Sequence, residues 1–506
     1  MIISEGTETT DSVYTFEEIA SELEKYLPNT TTALKVVLAT ATSAIRENRV
    51  LLWVLLVGSP SSGKTDLVEL IKNSKFTYHL DNLTLNSFIS GERDSKKGDA
   101  KVYDLLPELN KKCLVIKDWT VIFSLDERMT KKIIGDLVGA YDKTLSKFSS
   151  RRGIITYNAE FSQLGCITPA TLNRHGTYLN MIGPRFLSYS IPELTKADED
   201  MSFEAIFRND ESRRETKKKL SGMICTYLDQ LSRQDISQLK PLSKEVKDYL
   251  SVAARFVARA RGILIIKSAS FENDEGKNVT YYELQERQIE QPWRAVQQLM
   301  FLAQSLAIVL GHEEVGSDEL EVVKDVVVSS MPADRAQALK VLKETPDHEL
   351  TAKQLADDKD FGRSDKTARR LLDELAYLEL VKKEKGAVDR VGKPASNYSL
   401  DNEFKDFVAL HPREFLSLIK TEPKDELRTN NPDSVPQTEK EVDFKKLDSE
   451  RLKVLRRNEE QWFDNPSSDV TDKQFKEKSE KLQLIIDELE RRSVEEAVET
   501  FSGSEL

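Results

Sequence analysis

The sequence predicts an α/β protein built on a mostly parallel sheet. Three observations carry that prediction. Short apolar runs at 51–57, 76–80, 113–116, 153–156 and 186–191 alternate with helical stretches, as strand–helix–strand units require. The first run is continuous rather than alternating, which marks a strand buried on both faces. It leads directly into Gly58-Ser59-Pro60-Ser61-Ser62-Gly63-Lys64-Thr65 and then an amphipathic helix, the strand–loop–helix setting of a phosphate-binding loop.

Composition narrows the class. At about 150 residues per domain, 506 residues suggest about three domains. The 74 basic and 86 acidic residues give a net charge of −12, which excludes a wholesale polycationic coat but leaves room for a local basic face. The 20 glycines and 16 prolines are about 7% of the chain, against a typical 12% or so, so long helices are expected and an all-β sandwich is not. Cys113, Cys166 and Cys225 lie far apart, with no paired-cysteine or Cys/His spacing, so neither a disulfide framework nor a zinc site is expected. The longest apolar run is too short to cross a bilayer, so no membrane partner is expected. The acidic, polar N-terminus carries no signal-peptide pattern, and a cytoplasmic, reducing setting is expected.

Two helices are predicted before the first strand. Asp11 or Thr15 caps the first, whose Phe16, Ile19, Leu23 and Leu27 fall at helical spacing; the second starts near Thr31. Beyond the strand–helix alternation, 210–232, 244–262, 292–310 and 316–329 read as helices. Residues 263–282 read as a hairpin turning at Asn273-Asp274-Glu275-Gly276-Lys277-Asn278. The predicted organisation is a helical segment at 1–49, a P-loop core at 50–200, a helical lid with its hairpin insertion at 201–332, a compact helix-and-strand unit at 333–408, a linker at 409–443 and a charged helical tail at 444–506.

The chemistry starts at the loop. Gly58 to Thr65 fits G-x-x-x-x-G-K-[ST], in which backbone N–H groups wrap an anion, Lys64 reaches the β- and γ-phosphates of ATP and the Thr65 hydroxyl coordinates Mg²⁺. Cys113-Leu114-Val115-Ile116-Lys117-Asp118 is an apolar strand ending in a carboxylate, which suits Asp118 to holding that Mg²⁺. Many hydrolysing ATPases place Glu after this Asp as general base; here the residue is Trp119. Asp81 and Glu92 are the first candidates for a base from elsewhere, then Asp126 and Glu127; each is also readable as a solvated loop carboxylate. Asn158 ends a predicted strand, where its amide suits water near the γ-phosphate. Arg185 follows Gly183-Pro184, a rigid turn suited to an arginine finger on a neighbouring subunit's nucleotide. Pro292 fits the first position of a long helix, and Arg294 in its first turn opposes the helix dipole, so phosphate contact is one reason for it and a surface ion pair is another.

Taken in this order, the motifs resemble those of AAA+ ATPases. The stretch from Gln291 to Val327 is similar to the lid of minichromosome-maintenance helicases. Ser87-Phe88-Ile89-Ser90-Gly91, the segment around Asp118 and that around Arg185 resemble a group of ATPases carried by phages, plasmids and other mobile elements. The resemblance covers about 50–330 and implies a P-loop NTPase core of AAA+ type, assembled as a homo-oligomeric ring, usually hexameric, with ATP between subunits. By that resemblance Lys64, Thr65 and Asp118 act within one subunit, Asn158 is sensor 1, Arg185 is the finger in trans and Arg294 is sensor 2. The absence of Glu after Asp118 departs from the helicase pattern and puts efficient hydrolysis in doubt.

Residues 333–400 resemble a winged helix. Ser364 caps a helix whose Leu371, Leu372, Leu375 and Leu378 face inward. Lys366, Thr367, Arg369 and Arg370 occupy the half that enters a DNA groove, and Lys382, Lys383, Lys385, Arg390 and Lys393 on the wing suit phosphates. Asp373, Glu374, Glu379 and Glu384 dilute that charge, so protein docking stays open beside DNA binding. The C-terminal helices are a candidate partner or self-association element. The function expected is ATP-coupled action on DNA, in replication initiation or a helicase-like role. The alternative is a nucleotide-switched regulator or scaffold with slow turnover, whose winged helix docks an operator or a protein.

Overall fold

The computed structural model describes residues 13–46, 50–90, 104–176, 178, 182–207, 210–234, 236–272, 278–388, 394–421 and 482–483. Asp11, Glu92, Arg390, Lys393, the 273–277 turn and the proposed partner helices of the tail, apart from Leu482 and Gln483, lie outside them. The chain divides into two units, 1–423 and 424–506, and the first carries everything that follows.

Two helices open it, α1 (Phe16–Tyr26) and α2 (Thr31–Ser43). Thr15 caps α1 in a reciprocal capping box with Glu18, as one of the two expected caps. The α/β core follows: β1 (Trp53–Val57), α3 (Lys64–Leu70), β2 (Thr77–Leu80), α4 (Leu105–Leu109), β3 (Cys113–Ile116), α5 (Thr120–Phe123), α6 (Glu127–Tyr141), β4 (Thr144–Ser149), β5 (Gly153–Asn158), β6 (Ser162–Ile167), α7 (Pro169–Arg174) and β7 (Phe186–Ser190). Five of these strands form a parallel sheet in the order β2-β3-β6-β1-β7. Val54 and Leu56 enter the core shared with α1, α2 and the later helices, whereas Trp53, Leu55 and Val57 enter the core shared with α5 and α6. Both faces are covered, so β1 is apolar throughout.

The sheet corrects one expectation. The 153–156 run is not a strand of the parallel sheet. β5 pairs antiparallel with β4 in a separate hairpin. The central strand is β6, Ser162-Gln163-Leu164-Gly165-Cys166-Ile167, between β3 and β1. Every residue of β6 is buried, and Ser162 donates to Thr40 O at 2.7 Å. Its polar side chains and glycine hid it from a hydropathy reading.

The lid comprises α8 (Lys196–Phe207), α9 (Asp210–Leu231), α10 (Lys244–Ala260), the antiparallel hairpin β8 (Ile263–Glu272) and β9 (Asn278–Gln288), α11 (Trp293–Leu310) and α12 (Ser317–Ser329). Pro292 is the N-cap of α11 rather than its first helical residue. Then come α13 (Ala333–Glu344), β10 (Glu349–Thr351), α14 (Ala352–Asp357), α15 (Asp365–Tyr377), β11 (Val381–Val388) and β12 (Pro394–Leu400), with a small antiparallel sheet in the order β10-β12-β11. Two more helices follow, α16 (Asn402–Ala409) and α17 (Pro412–Thr421). The second lies in the stretch expected to be linker, yet its Phe415 is buried and packs edge-on against Tyr249 of α10 at 5.0 Å. An amphipathic Phe415-Leu416-Ile419 stripe accounts for the difference. Among the described residues no helix is long and apolar enough to cross a membrane.

Candidate nucleotide site and nucleic-acid surfaces

The parallel register brings three strand ends together. Val57 pairs with Ile167, and Gly58 N donates to Ile167 O at 3.2 Å. Ile116 pairs with Gly165, and Trp119 N donates to Cys166 O at 2.9 Å. The loop 58–65, Asp118 and Thr168 therefore share the carboxyl end of the sheet, where open α/β sheets bind ligands.

Within the loop, Ser61 and Gly63 both adopt left-handed φ, 65° and 80°. Alternating hand turns successive N–H groups inward, which makes an anion-binding concavity. Lys64 Nζ folds back into that concavity and donates to Gly58 O at 2.7 Å, Ser59 O at 2.6 Å and Ser62 Oγ at 3.2 Å. Burial pulls the Lys64 pKa below its ordinary value, with Cys166 and Asp118 opposing the shift. A Cβ on Gly58 would meet Ser62 Oγ at 2.5 Å, so the loop closes tightly around the ammonium. The ammonium is satisfied by loop oxygens, which are hydrogen bonds that phosphate oxygens can replace. Thr65 and Asp118 are both exposed beside it, and Asp118 Oδ1 accepts from Thr120 N at 2.8 Å. A hydroxyl and a carboxylate are the hard oxygen donors that suit Mg²⁺. Among the described residues no group of three or more His, Cys, Asp or Glu side chains is placed to hold a metal on its own.

Other expected site residues are placed elsewhere. Asn158 is exposed on the hairpin and accepts from Thr144 Oγ1 at 2.8 Å, away from the strand ends. Thr168, which sequence reasoning missed, occupies the strand-end position instead, with its Oγ 2.9 Å from the Thr171 hydroxyl, itself 3.4 Å from that of Thr120. Trp119 is fully buried, with its ring against Phe123 and Phe186 at 5.5 and 5.3 Å. The side chain after Asp118 thus points into the core and not at the loop. The candidate bases are engaged too. Asp81 pairs with Lys117 at 2.8 Å, Asp126 caps α6 through Met129 N, and Glu127 pairs with Lys131.

The two arginines stand together at the opposite end of the sheet. Arg185 precedes Phe186, the register partner of Trp53, so it lies about 16 Å along the strands from its own loop. Its guanidinium donates to Ile182 O at 2.7 Å, approaches Asp142 at 3.4 Å and lies over the Tyr141 ring at 5.4 Å. Arg294 lies over the same ring at 5.6 Å. Tyr141 is anchored to Leu51 O at 3.1 Å, and Gln298 of α11 ties its hydroxyl to Arg185 O.

Of the nucleic-acid candidates, Lys366, Arg369 and Arg370 are exposed on the first turns of α15, and Thr367 donates its N–H to the capping Ser364 Oγ. Lys382 lies 3.8 Å from Asp401, and Lys383 pairs with Asp373 at 2.7 Å; Lys385 lies on β11. Of the acidic residues expected to dilute this face, Asp373 stays on it as the partner of Lys383, Glu384 is exposed, and Glu374 and Glu379 are drawn into ion pairs. Glu374 pairs with Arg335, and Glu379 with Arg287 and Arg259. The β4–β5 hairpin adds a surface that sequence reasoning missed. Phe148 and Ile154 face each other across it, 79% and 78% exposed, beside an exposed Arg151.

No model of a known protein family matches the chain, and no curated protein matches it.

Proposed function

We propose that the chain is an AAA+-type ATPase that couples ATP binding and hydrolysis to action on DNA. The observation that carries this reading is the 58–65 loop closed on Lys64 beside Asp118, at the carboxyl end of a sheet ordered β2-β3-β6-β1-β7. In this reading Lys64 exchanges its loop carbonyls for the β- and γ-phosphates, and Thr65 and Asp118 hold Mg²⁺. Bound Mg²⁺ neutralises charge on the phosphates. Thr168 takes the water-orienting role expected of Asn158. Arg185 and Arg294 are too far from their own loop to serve it, so they act on the nucleotide of another copy in a head-to-tail assembly.

DNA enters through two surfaces. The helix–strand order of 333–400 supports a winged-helix reading, with the exposed basic turns of α15 as its reading edge. The apolar hairpin tip, with Arg151, suits stacking on unpaired bases. A second reading, a nucleotide switch with slow turnover, is favoured by the burial of Trp119 where a base is expected.

The test is ATP turnover by wild type and Lys64→Ala, with and without single- and double-stranded DNA. Turnover stimulated by DNA and abolished in Lys64→Ala is expected. ATP retained without turnover supports the switch, and no ATP binding by wild type contradicts both readings.

A further inference from the structure

The long helix α11 is almost entirely buried along Ala295, Gln298, Leu299, Leu302, Ala303 and Leu306. Its opposite stripe is not. Trp293 is 73% exposed, Gln297 is exposed, and Met300 is 37% exposed, at the i, i+4, i+7 spacing of one helix face. A tryptophan left in solvent at the start of an otherwise core helix is an unfilled contact, and tryptophan dominates the energetics of protein interfaces. Its immediate neighbour is Arg294, which shares the Tyr141 ring with Arg185. The stripe therefore borders the positively charged end of the sheet.

The opposite end offers a complement. There α5 and the first turn of α6 follow Asp118, and they expose two apolar side chains, Val121 at 36% and Met129 at 37%. Asp118 itself shares the carboxyl end of the sheet with the loop that the nucleotide reading fills with negatively charged phosphates. One molecule thus carries an apolar-plus-cationic end and an apolar-plus-anionic end, which a second copy meets head to tail.

We propose that Trp293 is the anchor of this contact, seated on Val121 and Met129 of the next copy of the chain, with Arg294 and Arg185 delivered to its nucleotide. The proposal rests on the nucleotide reading above. Trp293 makes the site between copies depend on a residue that touches neither phosphate nor metal.

The test measures assembly mass against protein concentration, with ATP, for the full chain, Trp293→Ala, Trp293→Phe and Met129→Glu. Binding of a fluorescent ATP analogue is followed in the same samples. Trp293→Ala and Met129→Glu are expected to raise the concentration needed for assembly at least tenfold, with Trp293→Phe close to wild type. Nucleotide binding by each separate subunit is expected to persist. Trp293 leaves water on assembly, so wild-type emission shifts to the blue, and Trp293→Phe loses that shift. Assembly by Trp293→Ala at the wild-type concentration overturns the proposal. So does a wild type that binds the nucleotide yet stays monomeric, or one whose Trp293 emission shifts with DNA alone. A wild type that binds no nucleotide removes the reading beneath the proposal instead.

Discussion

Trp119 and Gly165 form a matched pair. The indole lies against the bare backbone of Gly165, where an added Cβ would stand 2.1 Å from Nε1. The indole N–H is buried without a hydrogen-bond partner, a cost that a ring chosen only for packing need not carry. The fit predicts that Trp119→Ala loses about 3–5 kcal/mol of stability, read as a lower urea midpoint. Trp119→Glu gains no turnover, because its carboxylate enters the core rather than the loop; faster hydrolysis by this variant would contradict the placement. His79 gives a pH dependence. Burial, reinforced by Lys72 and Lys117, lowers its pKa from 6.5 to about 4, and both ring nitrogens are buried without partners. The folded state holds it neutral while the unfolded state protonates below about 6.5. Its contribution is present above that pH and is lost as pH falls towards 4. The denaturation midpoint of His79→Leu relative to wild type is expected to rise as pH falls from about 6.5 towards 4; parallel curves would contradict this. The strand–loop–helix placement of Lys64 and Thr65 was legible in the sequence because its spacing is local, and that of Asp118, far along the chain, because it follows a continuous apolar strand. Thr168 was not, because it is defined by a strand whose composition conceals it.

At the scale of elements, the four long helices α9 to α12 were read within two residues, since each has a long apolar period, whereas α2 ends earlier than read and α17 falls in the expected linker. The exchange of β5 for β6 was the main error. Both are short, and only pairing separates a solvent-facing hairpin from a central strand. The basic helix α15 was also legible, but the destination of its acidic residues was not, because Asp373 and Glu374 find partners on β11 and α13 that only tertiary packing brings together. Arg335 is the hub of that docking. It donates to Ala260 O at 3.1 Å and Gly262 O at 2.8 Å, at the end of α10, and reaches Glu374 of α15 at 3.3 Å. Removing it takes the donor from two carbonyls and leaves Glu374, only 16% exposed, with Arg370 at 3.6 Å. Arg335→Ala is therefore expected to destabilise the protein by about 3 kcal/mol. It should also loosen α15 from the lid, seen as faster amide exchange in 365–377 than in the sheet. Equal exchange in both segments would contradict a docking role.

At the scale of the molecule, the segments that read as separate domains share one hydrophobic core, from Phe16 of α1 through Leu306 of the lid to Phe407 of α16. Lys324 of α12 continues the connection by donating to Val408 O and Leu410 O at the end of α16. The lid and the basic helix are thereby packed through one core rather than joined by a tether. In the proposed function, one chain supplies Lys64 and another supplies Arg185 to each working nucleotide site. The direct measurement is ATP turnover by Lys64→Ala and Arg185→Ala, alone and mixed in equal amounts after dissociation and reassembly. Each variant alone is expected to be inactive, and the mixture to regain part of the wild-type turnover, because some interfaces then pair an intact Lys64 with an intact Arg185. A mixture as inactive as its components, while wild type hydrolyses ATP in the same assembly, would contradict a site shared between copies.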